Sequence, residues 1–191
     1  RRAENGPEFI ERVRHETGIA LDIISAKEEA RLAVLGCHLL LEQGEGPAMV
    51  FDIGGGSTEL VLVESRGGEV PRIHDWQSVP WGVVSLSETC GKEPAGDEAR
   101  AERYARMKRL VRESLSPLTE RIAERFGPDH DPVGMRLLGT SGTVTTLASV
   151  HLELPQYDRR AVDGLIVPTL AMRDIAAALA AMPPQQRRSQ P

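Results

Sequence analysis

Three consecutive glycines between two apolar segments constrain the fold of this chain more than any other feature. The run extends from Asp52 to Leu60, with strand-like segments at Met49 to Phe51 before it and Val61 to Val63 after it. Glycine leaves the backbone amides bare and lets a turn take positive φ, so an anion can approach them closely. The pattern therefore predicts a hairpin whose turn, at Gly54, Gly55 and Gly56, binds an anion.

Oxygen-bearing side chains lie at both ends of this turn. Asp52 precedes the glycines, and Ser57, Thr58 and Glu59 follow them, which are ligand types that suit a hard divalent cation. The turn lacks the Gly-Lys-Ser/Thr of a Walker loop, and the segment after it is a strand rather than the helix of a dinucleotide site. We interpret it as a phosphate-binding hairpin beside a metal; the alternative is a flexible hairpin turn with a polar rim.

A second glycine-rich segment, Gly139 to Thr143, joins a predicted strand at Met135 to Leu138 to a predicted helix at Val144 to Val150. Amides at a helix N-terminus attract anions, helped by the helix dipole. The alternative is ordinary helix capping by Ser141 or Thr143. The presence of the first loop favours a phosphate-binding role for Gly142 and Thr143.

A third segment opens a helix with a pair of glutamates. Ser25 and Glu28 fit the Ser-x-x-Glu capping box, which gives Glu28 a structural role. Glu29 lies about 100° further round the helix, on a face with the small residues Ala33 and Gly36. Its carboxylate is a candidate general base for a water that attacks phosphorus, and the alternative is a solvated surface glutamate.

Strands and helices alternate along the chain, which predicts an α/β fold. The predicted helices span residues 8–16, 26–42, 97–126, 144–150 and 172–182, with a short helix near residue 86 and a polar tail over 183–191. Further strands are predicted at Ile19 to Ile24 and Arg72 to Val79. The Gly/Pro-rich break around Gly44 to Pro47 divides the chain into predicted domains of 1–46 and 47–191.

Composition excludes several function classes. The formal net charge of −5 argues against a broad nucleic-acid surface. Cys37 and Cys90 are far apart and lack metal-ligand spacing, so we expect a reducing, cytoplasmic setting. No apolar stretch approaches the roughly 20 residues of a membrane helix, and no secretory signal is visible.

Together these three segments resemble the exopolyphosphatase and guanosine pentaphosphate phosphatase (Ppx/GppA) family. The matching stretches are Ile23 to Leu32, Asp52 to Leu60 and Gly139 to Thr143, in the family's order and spacing. The resemblance implies an actin/hexokinase/Hsp70-like (ribonuclease-H-like) fold, with two domains flanking a cleft.

The resemblance also assigns roles to individual residues. Glu29 looks like the base that activates water, and Asp52 and Glu59 match acidic positions near Mg²⁺ and the phosphates. The expected phosphate-binding residues are Gly54, Gly55, Gly56, Ser57, Gly142, Thr143 and Arg1, the last from an Arg-x-x-x-Asn element that ends at Asn5.

The chain departs from the family at its two ends. The family's first hairpin, with its Asp-x-Gly-Ser/Thr-Asn phosphate loop, does not occur, and neither does the closing helix. We therefore expect the chain to contain the end of the first domain and the second domain, and to be part of a longer protein.

The resemblance implies a Mg²⁺-dependent hydrolase that releases terminal phosphate from inorganic polyphosphate or guanosine pentaphosphate. The family's frequent dimers favour a homodimer, and neither nucleic acid nor a membrane is an expected partner. The alternatives are a small-molecule kinase of the same fold and a non-catalytic sensor of alarmones or polyphosphate.

Overall fold

A computed structural model describes residues 4–41, 46–65, 69–127 and 135–188. The expected phosphate contact Arg1 lies outside these ranges. The described helices are α1 (Gly6–Thr17), α2 (Ala26–Cys37), α3 (Val83–Thr89), α4 (Asp97–Phe126), α5 (Ser141–His151), α6 (Arg159–Val162), α7 (Thr169–Ala181) and α8 (Pro184–Arg187).

A four-stranded sheet forms the centre of the fold. Its strands are β1 (Gly46–Ile53), β2 (Thr58–Ser65), β3 (Arg72–Val79) and β4 (Arg136–Thr140), in the spatial order β3-β2-β1-β4. The first three form an antiparallel meander, whereas β4 pairs parallel to β1. The mixed sheet with helices on both faces confirms the predicted α/β class.

Each face of the sheet carries one principal helix. Val34 and Cys37 of α2 pack against Val50 and Val61, and this cluster is nearly closed to solvent. On the other face, Leu118 of α4 packs with Met49 and Leu62. The period of two along a strand explains this arrangement, since neighbouring residues point to opposite faces.

The predicted strand at Ile19 to Ile24 is wrong. Residues 18–25 form no regular structure, and the side chains of Ile19 and Ile23 are more than half exposed. The β-branched pattern is present, but a strand needs a neighbouring strand, and none pairs with this segment in the described part of the chain.

Three helix predictions need correction. The second helix ends at Cys37 rather than Glu42, and a short 3₁₀ helix, His38–Leu40, follows it. A glycine one residue before the end, Gly36, weakens the helix there. The four-residue helix α6 was not predicted, and α8 lies within the predicted polar tail. Within the described ranges, no helix is long and apolar enough to span a membrane.

Candidate phosphate and metal site

The glycine turn is a tight four-residue connection between β1 and β2. The amide of Gly54 donates to the carbonyl of Ser57 at 3.0 Å, which closes the turn. Gly55 and Gly56 are exposed. Their amides donate no hydrogen bond to any described residue, so both are available to an anion.

The expected positive φ of these glycines is wrong. Five described glycines have a positive φ, and none of Gly54, Gly55 and Gly56 is among them. The turn instead places its carbonyls against the start of α3. Here the absence of side chains matters because it leaves the amides uncovered.

The N-terminus of α3 packs against the carbonyl side of the turn. The amides of Val83 and Val84 donate to the carbonyls of Gly54 and Gly55 at 3.0 and 2.9 Å. Gly82 lies so close that an added Cβ would stand 2.4 Å from the Gly54 oxygen. These contacts hold the turn in one conformation, and no local sequence signal marks Gly82 as their basis.

The two acidic residues of the hairpin lie opposite each other. Asp52 and Glu59 are register partners across the antiparallel ladder of β1 and β2. Ala48 and Val50, which precede Asp52 at intervals of two, belong to the cluster under α2. By the same alternation both carboxylates lie on the α2 face of the sheet.

Glu59 is held in place by hydroxyl groups. Its Oε1 atom accepts from Ser57 Oγ at 2.7 Å and from Ser78 Oγ at 3.0 Å. Ser78 is its neighbour on β3 and was not predicted, because strand pairing alone brings it there. Glu59 is only 9% exposed, yet neither it nor Asp52 forms a salt bridge to a described residue.

The carboxylates of Asp52 and Glu59 suit a magnesium ion as ligands. A buried carboxylate is stable when it pairs with a cation, and Mg²⁺ uses one or two carboxylates together with waters and substrate phosphates. The described residues contain no cluster of three or more His, Cys, Asp or Glu side chains that could hold a metal alone. Asp52 and Glu59 therefore match a site that substrate oxygens complete.

Cys37, at the end of α2, interacts with the charge of Asp52. Burial raises the pKa of the Cys37 thiol, and the negative charge of Asp52 raises that pKa further. The effect places the end of α2 near the carboxylates, as the sheet alternation also indicates.

Glu29 lies on α2, at the flank of the stripe that packs on the sheet. The stripe contains Ala30, Val34 and Cys37, and Glu29 is partly buried beside it, with its Oε2 atom closed to solvent. A fully solvated surface glutamate is therefore excluded. Gly36, on the same face as Glu29, has open space beside it.

The capping box at the start of α2 is only half formed. Ser25 Oγ accepts from the Glu28 amide at 3.1 Å, as predicted. The Glu28 carboxylate does not return to Ser25, because Arg31 binds it through two hydrogen bonds of 2.9 and 2.7 Å. That pairing lowers the pKa of Glu28, first through the hydrogen bond and also through the charge of Arg31. The two adjacent glutamates thus have different surroundings.

Helix α5 follows β4 directly, and its first turn is tied to the end of β1. Ser141 Oγ and Thr143 Oγ1 both donate to the carbonyl of Ile53, at 2.8 and 3.1 Å. The capping alternative is wrong, because the cap residue is Thr140, without a side-chain capping bond, and Ser141 and Thr143 lie inside the helix. Since Thr140 is also the register partner of Asp52, the start of α5 adjoins the carboxylates.

The end of β4 is closely packed. A Cβ at Gly139 would stand 2.7 Å from the ring of Phe51, so only glycine fits there without rearrangement. Gly142, by contrast, is exposed with open space beside it. The structure thus brings the turn at Gly54, the acidic pair and the start of α5 to one end of β1.

Sequence comparison identifies this arrangement. The sequence profile of the Ppx/GppA phosphatase family matches residues 1–181. The chain belongs to the Ppx/GppA phosphatase family. Its fold agrees, since the Aquifex aeolicus PPX-GPPA enzyme superposes with a TM-score of 0.73 at 29% identity, covering 98% of this chain and 56% of that one.

Two curated relatives have different names. Exopolyphosphatase 2 of Mycobacterium tuberculosis is 30% identical over 170 residues, which cover 89% of this chain and 48% of the relative. A guanosine-5'-triphosphate,3'-diphosphate pyrophosphatase of Aeromonas hydrophila is 32% identical over 165 residues, covering 83% of this chain and 29% of the relative. The chain thus spans about half or less of the length of these Ppx/GppA proteins.

Proposed function

We propose that the complete protein is a Mg²⁺-dependent hydrolase that releases terminal phosphate from a phosphoanhydride chain. One observation carries this proposal. Helix α2, which bears Glu29, covers the same face of the sheet as the opposed carboxylates Asp52 and Glu59. Glycine-rich turns with available amides adjoin that face. A base, a cation site and anion donors are the groups that phosphoryl transfer to water requires.

The hairpin and the start of α5 would bind the phosphate oxygens. The free amides of Gly55 and Gly56 would donate to them, supported by Gly54 and Ser57. Gly142 and Thr143, at the start of α5, would add the positive end of the helix dipole. From the family resemblance, Arg1 would approach the same phosphates.

Asp52 and Glu59 would hold the magnesium ion. When bound, Mg²⁺ offsets negative charge on the phosphate oxygens. The hydroxyls of Ser57 and Ser78 hold one oxygen of Glu59, so the carboxylate is oriented before any ion arrives. Such preorganisation reduces the rearrangement needed for catalysis.

Glu29 would act as the general base. The water oxygen forms a bond to the terminal phosphorus, its proton passes to the Glu29 carboxylate, and the bridging P–O bond breaks towards the rest of the chain. Inorganic phosphate and a chain one phosphate shorter are the products.

Inorganic polyphosphate and guanosine pentaphosphate are the proposed substrates. Both end in the same phosphoanhydride group, and the names of the two relatives correspond to one substrate each. We also propose a cytoplasmic location, with which the unpaired thiols of Cys37 and Cys90 agree. The proposed homodimer would be checked by the mass of the protein in solution.

A phosphate-release assay on the complete protein tests this function. Long polyphosphate and guanosine pentaphosphate would be compared, each with Mg²⁺ and with a chelator. We expect Mg²⁺-dependent release from at least one of them. Tight binding of both without release would contradict a hydrolase and select the sensor function, while transfer from ATP to an added acceptor would select a kinase.

A further inference from the structure

A group of basic side chains lines a cavity between α4 and α7, and no residue of the β1–β2 hairpin contributes to it. The cavity has a volume of about 350 Å³, and Arg100, Arg103 and Arg187 line it. Small-molecule pockets in proteins range from about 300 to 1,000 Å³. We call this space the arginine cavity, and its three guanidinium groups come from α4 and α8.

Arg100 is the most buried of the three. It is 6% exposed, a rare state for arginine. Its Nη1 atom donates to the carbonyl of Ala95 at 2.7 Å, and Nη2 pairs with Asp97. Its Nε atom is buried and has no hydrogen-bond partner among the described residues. A buried donor without an acceptor is costly, so a missing acceptor is indicated here.

Arg187 has the same deficit. Its Nη2 atom pairs with Glu93, while its Nε atom is buried and has no partner in the described part of the chain. Arg103 binds the carbonyl of Gly91 through Nε and Nη2, and Nη2 also donates to Ser87, whereas Nη1 has only the weak acceptor Sδ of Met107 at 3.9 Å. Arg100 and Arg187 thus each keep one buried nitrogen that no described oxygen satisfies.

The charge of the cavity is also unbalanced. Among its lining residues Glu93 is the one carboxylate against three arginines, and Asp97, the partner of Arg100, projects into solvent at 94% side-chain exposure. The opposite wall is apolar, formed by Leu179 and its neighbours on α7. An apolar wall lowers the local dielectric and strengthens the attraction for an anion.

We propose that the arginine cavity is a binding site for a small phosphate-type oxyanion. Such an anion accepts several hydrogen bonds, and two of its oxygens can accept a parallel pair of N–H bonds from one planar guanidinium group. A water molecule would satisfy single donors but would leave the excess positive charge in place. The site is built on α4, α7 and α8 rather than on β1 and β2, so it goes beyond the proposed hydrolase function.

Calorimetric titration of the complete protein with inorganic phosphate tests the proposal. Gly56→Asp would first be introduced to repel anions from the hairpin, where open space accommodates the new side chain. In this background, Arg187→Gln removes one donor of the cavity. Arg188→Gln is the matched control, because Arg188 is exposed, adjacent and absent from the cavity wall.

We expect phosphate binding to persist in the Gly56→Asp protein. Arg187→Gln should raise the Kd about tenfold, the loss expected for one charge-assisted hydrogen bond, whereas Arg188→Gln should change it less than about twofold. Glu93→Gln should lower the Kd, because it removes a competing negative charge. No binding in the Gly56→Asp background, equal effects of the two arginine variants, or weaker binding by Glu93→Gln would each overturn the proposal.

Discussion

Asp52 on β1 lies directly across the antiparallel ladder from Glu59 on β2, and both side chains share the sheet face covered by α2. Like charges placed directly opposite each other destabilise a sheet. A bound cation would remove that repulsion. The proposed metal site would explain why the pair is tolerated, and its neighbours on the same face should then respond to the ion.

Magnesium binding should be visible in the titration of Cys37. Burial and the charge of Asp52 raise the pKa of this thiol, so a cation beside Asp52 should lower that pKa. We would follow thiolate absorbance against pH in a Cys90→Ser background, with and without Mg²⁺. The pKa should fall on adding Mg²⁺, and Asp52→Asn should lower it without the ion.

The Asp52→Asn protein is also the control for this titration. Its Cys37 pKa should no longer respond to Mg²⁺, and a full response there would place the ion elsewhere. The folded pKa of Cys37 lies above the unfolded one. The contribution of this thiol to the free energy of unfolding is therefore fully present below about pH 8.5 and is lost as pH rises through the folded pKa.

Gly82→Ala should destabilise the protein by about 1–3 kcal/mol or more, as overpacking does. An added Cβ would meet the backbone of Gly54 and Gly55 at 2.4 Å, and backbone atoms cannot move aside cheaply. Denaturant unfolding measures the change. Gly56→Ala is the matched control, because its Cβ would enter open space, and it should change stability by less than about 0.5 kcal/mol. Equal effects would contradict the close approach of α3 to the turn.

Ser25→Ala should reduce the free energy of unfolding by about 1 kcal/mol, the usual value for a lost N-cap. Its Oγ atom accepts from the Glu28 amide, and no other described side chain caps the N-terminus of α2. Glu28→Gln should have a smaller effect, because the Glu28–Arg31 pair is exposed. Since the pKa of Glu28 is lowered in the folded state, the contribution of that pair should vanish as pH falls below the ordinary glutamate range. A larger loss for Glu28→Gln than for Ser25→Ala would mean that the Arg31 pair, not the cap, starts the helix.

Two elements were predicted correctly from the local sequence pattern. The strand Arg72–Val79 and the helix Asp97–Phe126 have the predicted bounds, and the helix was recognisable by its long apolar stripe. The segment Ile19 to Ile24 has a comparable strand pattern, but strand formation depends on a distant partner that its own sequence does not specify.

The same distinction applies to the site. The opposition of Asp52 and Glu59 follows from hairpin pairing and was predictable in outline. The hydroxyl of Ser78 and the close approach of Gly82 depend on how β3 and α3 return to the hairpin, across about twenty intervening residues. Such contacts are set by tertiary packing and leave no local pattern.

The central claim, that Glu29 is the base of a phosphoanhydride hydrolase, is tested most directly by comparing two adjacent substitutions. Glu29→Gln and Glu28→Gln remove the same charge from neighbouring positions, but Glu29 is partly buried beside the packed stripe of α2 and Glu28 is paired with Arg31. Both variants would be assayed in the complete protein for phosphate release and for polyphosphate binding.

Glu29→Gln should lower phosphate release by a factor of about 10²–10⁴, the usual contribution of a general base, while substrate binding remains. Glu28→Gln should keep most of the activity. Release by the Glu29→Gln protein at the rate of the unmodified enzyme would contradict the claim.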